Sequence, residues 1–200
     1  MKMRLFFIVV IFFLGSCLSI ASAKVIEPQA LIQQVADQTI ARIKKDKAIL
    51  AKDPKYIHQL IDELLMPHFD FDRMSRWVLG KHWRKATPDQ RLAFTQQFKS
   101  LLVRTYATSL QEYSDEVINY SPFRGKLDSG DVTVRSEVEL PGGFPIPINY
   151  RLYLKGDRWL VYDISIDEIS LITNYRSSFS RQIRRSGLDN LIQTLADKSQ

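Results

Sequence analysis

Three groups of side chains in this chain of 200 residues have the types and spacing to do chemistry. His68, Asp70 and Asp72 alternate along the chain. On an extended segment that puts three donors on one side, as a metal site needs. Asp163, Asp167 and Glu168 offer a carboxylate pair of the kind that serves hydrolysis. Ser114, Ser121 and Ser136 are potential nucleophiles wherever the fold delivers a histidine. Each group also has a plainer use. Phe69, Phe71 and Met74 interleave the first, and Asp72 is placed to cap a following helix. The second group sits where a strand ends, and turn-end carboxylates are ordinarily solvated. No serine has a histidine nearby in sequence. The chain also lacks the G-x-S-x-G elbow, H-E-x-x-H, a phosphate-cradling glycine loop and a dinucleotide fingerprint. A metal is not expected.

The first residues bound the setting. Lys2 and Arg4 precede an apolar run from Leu5 to Leu14, and Ala21-Ser22-Ala23 supplies small residues for cleavage before Lys24. That is the pattern of a secretory signal peptide over residues 1–23, too short to span a bilayer as a helix of ~20 residues would. Leu14-Gly15-Ser16-Cys17 is a minority alternative, the lipid-attachment box of a lipoprotein. Residues 24–200 then form a single domain. Cys17 is the only cysteine, so cleavage after Ala23 leaves no disulfide, no thiol nucleophile and no thiolate metal site. Loss of Lys2 and Arg4 with the signal lowers the formal net charge from +6 to +4, which suits an anionic membrane surface or an acidic partner better than nucleic acid, which an exported protein rarely meets.

The elements that must position these side chains follow from periodicity. Residues 28–48 read as a helix through Leu31, Ile32, Val35, Thr39, Ile40 and Ile43. A second helix is expected from Asp53-Pro54 to Pro67, and a short third from Asp72 to Leu79, stopped by Gly80. Thr87-Pro88-Asp89-Gln90 is a capping box opening a long fourth helix. Its inward stripe is expected to be Phe94, Phe98, Leu101, Leu102, Thr105, Ser109 and Tyr113, with Tyr106 and Leu110 alongside. Strands are expected at Val117–Tyr120, from Val132 to Val138, from Ile146 to Leu154 and at Arg158–Ile166, an antiparallel meander with one apolar face and a turn at Pro141-Gly142-Gly143. Helices then run from Ser170 to Ser186 and onward from Leu188. Helices before and after a curved antiparallel sheet make an α+β domain.

Four stretches carry a resemblance: FDFDRMSRWVLGKHWRKATPDQRLAF from Phe69, LLVRTYATSLQEYSDEV from Leu101, GGFPIPINYRLYLKGDRWLVYDISID from Gly142, and SLITNYRSSFSRQIRRSGLDNLI from Ser170. Together they resemble the MlaC family, also called the toluene-tolerance auxiliary family. The resemblance implies a fold like that of nuclear transport factor 2, with a lipid pocket between sheet and helices. It implies a periplasmic carrier with no catalytic residues and no cofactor, phospholipid being the cargo. The implied partners are an inner-membrane ABC transporter complex with its substrate-binding component and an outer-membrane lipoprotein–porin complex, in a pathway that maintains outer-membrane lipid asymmetry. One departure stands out: the family pattern E-G-V-S-L has glycine where this chain has Glu168, before Ile169-Ser170-Leu171.

If such a pocket exists, the apolar faces above are its walls. The strands offer Val134, Val138, Ile148, Tyr150 and Leu152. The fourth helix offers Phe98, Leu101, Leu102 and Tyr106, and the last strand and following helix offer Tyr162, Ile164, Leu171 and Tyr175. Periodicity shows only that these residues share apolar faces; ordinary core would use them equally well. Arg104, Arg151 and Arg176 are candidates for approach to a phosphate. The competing reading is an enzyme acting on an apolar substrate in the same cavity, for which Tyr150 with Asp163 is the best available polar pair.

Overall fold

The computed structural model describes residues 25–112, 116–140 and 142–198. The expected signal peptide and Cys17 lie outside the described residues, as do Tyr113, Ser114 and Pro141. Among the described residues six α-helices precede a five-stranded antiparallel sheet of order β1-β2-β3-β4-β5 and two follow it, the order the sequence pattern leads one to expect.

The helical part comes first. α1 (Pro28–Lys45) begins with proline at its first position and buries Leu31, Ile32, Val35, Thr39 and Ile43. It stops earlier than the apolar period suggests. Asp46 accepts hydrogen bonds from Arg42 and from the Tyr56 hydroxyl, which tie the chain into a break before the short α2 (Lys47–Lys52). Asp53 does not cap the next helix directly. Its carboxylate accepts from the Lys55 amide at 3.0 Å in a turn, and α3 (Tyr56–Leu64) starts after it.

α4 (Phe71–Leu79) is capped by Asp70, not by Asp72. Asp70 accepts the Arg73 amide at 2.8 Å. The same carboxylate accepts from Tyr153 and from Lys155, so the cap also pins α4 to the sheet. Gly80 then turns the chain with φ +53°, and a Cβ there would lie 3.1 Å from the Arg176 guanidinium. A single helical turn, α5 (Lys81–Lys85), leads to α6 (Pro88–Glu112). The capping box forms in full: the Thr87 amide donates to Gln90 Oε1 at 3.0 Å, and the Gln90 amide donates to Thr87 Oγ1 at 3.2 Å.

β1 (Ile118–Tyr120), β2 (Asp131–Val138), β3 (Ile146–Lys155) and β4 (Arg158–Ile166) form the meander, and β5 (Ile169–Ser170) adds a two-residue edge. α7 (Leu171–Ser186) and α8 (Leu188–Asp197) close the fold. The β4–β5 hairpin turns on Asp167 (φ +50°) and Glu168 (φ +61°). Two consecutive left-handed residues make the hairpin turn that matches strand twist, normally built from glycine and asparagine. The turn is therefore retained despite Glu168, and both residues lie exposed.

The interior divides into three apolar clusters. α4, α6, α7 and α8 enclose the first around Met74, Phe94, Phe98, Leu102, Phe179 and Leu191. α1 and the sheet form the second from Leu31, Ile32, Val35, Val132, Leu152 and Val161. α1, α2, α3 and α6 form the third around Ile43, Leu60, Val103 and Ala107. α6 thus serves two clusters with opposite sides. That is why its Val103 and Ala107 are buried while Thr105, placed on the expected stripe, is exposed and bonds its own helix at Leu101.

Candidate functional site

Alternation along the strands puts one set of side chains on a single face of the sheet. The register aligns them in rows: Val132, Leu152 and Val161; then Val134, Tyr150 and Ile164; then Tyr120, Ser136, Ile148 and Ile166; then Ile118, Val138 and Ile146. Coverage changes along this face. The first row is sealed beneath Leu31, Ile32 and Val35 of α1, with Leu152 at 0 % exposure. Across the later rows β2 remains buried, but Ile146, Ile148, Tyr150, Ile164 and Ile166 on β3 and β4 are only half-buried. The apolar face is closed at one end and open along β3 and β4 at the other.

The side chains bordering the open end carry phenols in a desolvated setting. Burial pushes the Tyr150 phenol up, and a hydrogen bond with Ser136 opposes this only in part. Burial likewise raises Tyr120, helped by neighbouring Tyr150 and Asp37. Tyr120 Oη is enclosed with no hydrogen-bond partner among the described residues. On α6 the sealed stripe Phe94, Phe98, Leu102 runs on into the half-buried Tyr106. Burial pushes Tyr106 up to about 12, and a hydrogen bond with Tyr175 adds to the shift. Domains of this size usually build one contiguous core. Here three clusters meet through half-buried residues. Leu65 touches the second and third, and Phe69 touches the first and second.

The expected wall residues separate into two groups. Val134, Tyr150, Leu152 and Ile164 share the α1–sheet cluster, and Val138 and Ile148 continue the same sheet face. Phe98, Leu101, Leu102, Tyr106 and Tyr175 belong to the cluster of α4, α6, α7 and α8, and Leu171 is buried at the start of α7. Tyr162 departs from the expected strand face. Arg151 pairs with Asp163 and Leu152 with Val161, so Tyr162 is an extra residue in β4. Its ring meets Trp77 at 5.3 Å and Tyr153 at 5.9 Å, and its hydroxyl donates to Asp131, all beyond the opposite face. Trp77 is 38 % exposed there.

The polar candidates are committed elsewhere. Asp163 pairs with Arg151 in the register and so faces away from Tyr150, which removes the Tyr150–Asp163 pair. Its carboxylate instead accepts from Ser170 Oγ at 2.7 Å and from the Ile172 amide at 3.2 Å, holding the start of α7. Ser136 Oγ donates to the Ile148 carbonyl at 3.1 Å. Among the described residues no three His, Cys, Asp or Glu side chains converge as metal ligands. Arg151 lies over the rings of Tyr162 at 4.9 Å and Trp77 at 5.7 Å on the outer face, away from Ile148. Arg176 is exposed on α7 beside Gly80, and Arg104 is half-buried on α6.

Sequence reasoning missed Tyr120 on the open rows, and Leu65 and Phe69 where the clusters meet. The alternation of the strand Val117–Tyr120 carried the signal for Tyr120; nothing local marks the other two. Among the described residues no helix is long and apolar enough to cross a membrane.

A family model described as MlaC protein matches residues 33–197. The intermembrane phospholipid transport system binding protein MlaC of Haemophilus influenzae is 24 % identical over 168 residues, spanning 82 % of this chain and 78 % of its own. Toluene tolerance protein ttg2D of Pseudomonas putida is 27 % identical over 164 residues, spanning 81 % and 75 %. A solved phospholipid-binding protein from Ralstonia solanacearum, in complex with a phospholipid, superposes with a TM-score of 0.80 at 34 % identity, covering 87 % of this chain and 97 % of that one.

Proposed function

The chain belongs to the MlaC family, and from that premise we propose that it is a phospholipid-binding transport protein which carries its lipid along the half-open apolar face of the sheet. The observation that carries the reading is the incomplete cover over Ile148, Tyr150, Ile164 and Ile166, interior positions left with free apolar surface. The relatives named above, one solved with phospholipid bound, supply the chemistry of the occupant.

Exposing one methylene to water costs ~0.8 kcal/mol, so a lipid with two chains of about sixteen carbons resists solution by on the order of 20 kcal/mol or more. A carrier must replace the bilayer with an equally dry surface, and catalytic groups are not required. The cargo moves across the periplasm, to which a cleaved signal over residues 1–23 delivers the protein. The route runs between an outer-membrane lipoprotein–porin complex and an inner-membrane ABC transporter with its substrate-binding component, and so maintains outer-membrane lipid asymmetry. Chemistry on the lipid is disfavoured because Asp163 faces the opposite side of the sheet from Tyr150 and already holds α7.

Protein purified without detergent and sprayed under native conditions is expected to carry phospholipid in a defined ratio. Protein that is always empty, and that takes no lipid from vesicles, rules the reading out.

A further inference from the structure

Positive charge is distributed unevenly over this protein. Residues 73–88 and 171–188 contain nine of its Lys and Arg residues and no Asp or Glu, so the remainder of the chain is net acidic although the whole is +6. The fold brings these two segments together, for α4 and α7 pack on each other. Arg176 reaches Gly80 at the α4–α5 junction. Ser180 Oγ lies 3.5 Å from His82 Nε2, and burial together with Lys81, Lys85 and Arg184 pushes His82 down.

Eight of the nine cations are exposed: Arg76, Lys81, Arg84 and Lys85 on α4 and α5, and Arg176, Arg181, Arg184 and Arg185 on α7. None of these eight is in an ion pair among the described residues. Thr173, Ser177 and Ser180 join Arg176, Arg181 and Arg184 along a shallow surface groove. Hydroxyls between guanidinium groups are donors suited to phosphate oxygens.

The face also lacks what a protein partner needs. Stable protein interfaces are built on a desolvated apolar or aromatic centre with a polar rim. The exposed residues of α7 are Thr173, Asn174, Arg176, Ser177, Ser178, Arg181, Arg184, Arg185 and Ser186, with no large apolar group among them. A wide array of cations without an anchor suits a fluid array of phosphates. We infer that the α5–α7 face is a docking surface for an anionic phospholipid bilayer, separate from the apolar face that holds cargo. This rests on the lipid-carrier reading only for its purpose; the charge and geometry stand without it.

Co-sedimentation with vesicles tests it. One set is phosphatidylcholine alone, and the other is one third phosphatidylglycerol. The full chain is expected to bind the anionic set at least tenfold better and to lose that preference as salt rises from about 50 to about 300 mM. At roughly fivefold per basic residue near a charged surface, Arg181→Gln, Arg184→Gln and Arg185→Gln together should weaken binding on the order of 100-fold. A control with Lys47→Gln, Lys52→Gln and Lys126→Gln, with the same change in net charge, should stay within about threefold. Circular dichroism verifies that both variants fold. Equal binding to the two vesicle sets, or equal losses in the two triple variants, overturns the proposal. So does soluble polyglutamate binding the face more tightly than anionic vesicles, which assigns it to an acidic protein. Lipid carried by the protein is read separately by native mass spectrometry, so an empty protein that still docks refutes the carrier reading and not this one.

Discussion

Asp163 and Ser170 are joined at 2.7 Å across the β4–β5 hairpin, and Ser170 Oγ in turn accepts the Thr173 amide at 3.1 Å. The carboxylate also takes the Ile172 amide, so one side chain that is 3 % exposed fixes the first turn of α7 to the sheet. α7 is itself a wall of the largest aromatic cluster through Tyr175 and Phe179.

Asp163→Ala should therefore destabilise the fold by about 2–3 kcal/mol, because it leaves the buried Ile172 amide and the half-buried Ser170 hydroxyl unpaired. For a domain of this size the thermal midpoint should drop by roughly 5–10 °C. Asp163→Asn keeps one acceptor and should lose less than half as much. Differential scanning calorimetry on both variants reads the difference, and equal midpoints would show that the pair does not hold α7.

Glu168 sits at φ +61° in the second position of the β4–β5 turn, and Asp167 at φ +50° precedes it. A side chain in this conformation costs roughly 1–2 kcal/mol, offset in part by the greater freedom of glycine in the unfolded chain. The contact given up is weak: Asn149 Nδ2 lies 3.4 Å from Glu168 Oε1. Glu168→Gly should stabilise the protein by about 0.5–1 kcal/mol, read as a higher urea midpoint with an unchanged slope.

Asp70 gives a pH dependence with a defined sign. Burial alone would push its carboxyl up, but the Tyr153 hydroxyl, the Arg73 amide and Lys155 outweigh burial and hold it below the usual carboxylate range. The charged form thus contributes stability that is complete above an unfolded value of about 3.9 and is lost as pH falls through the lower folded value. Asp70→Asn still caps α4, since asparagine is an equally good cap, but removes the charge. It should be less stable by roughly 1–2 kcal/mol at pH 7. The gap should narrow steadily at pH values below about 4. Urea unfolding at both ends of that range measures it, and a gap independent of pH would contradict the assignment.

How far the sequence could be read depended on whether a local pattern survived. The period of two from Val132 to Val138 and from Ile146 to Leu154 is unbroken, and the strands and their inner face follow it. In β4 the extra residue at Tyr162 shifts the phase, and Tyr162 faces away from Ile164, with which alternation had grouped it. The break at Asp46 is hidden because apolar spacing continues past it; Tyr56, ten residues on, makes it. Asp70 and Asp72 are equivalent caps in sequence, and only contacts with Tyr153 and Lys155, more than eighty residues away, distinguish them. The half-open face was the least legible part. Ile148 and Leu152 have the same chemistry and the same strand parity, and what separates them is whether α1 lies above.

That difference makes Ile148 the most direct probe of cargo binding. It pairs with Ser136 on β2 and Ile166 on β4 in the middle of the uncovered rows, and it is half-buried. A glutamate there can turn its carboxylate toward the open end, so the fold should survive with a midpoint within a few degrees of the parent. An acyl chain lying across the same row would have to desolvate that carboxylate. The cost is at least about 1–3 kcal/mol, or a loss of uptake on the order of 10- to 100-fold. Thr133→Glu places the same charge on the opposite face beside Arg151 and should leave uptake unchanged. Transfer of fluorescent phospholipid from vesicles compares the two variants. Normal uptake by folded Ile148→Glu would remove this row from the lipid path, and equal losses in both would trace the effect to charge rather than to the face.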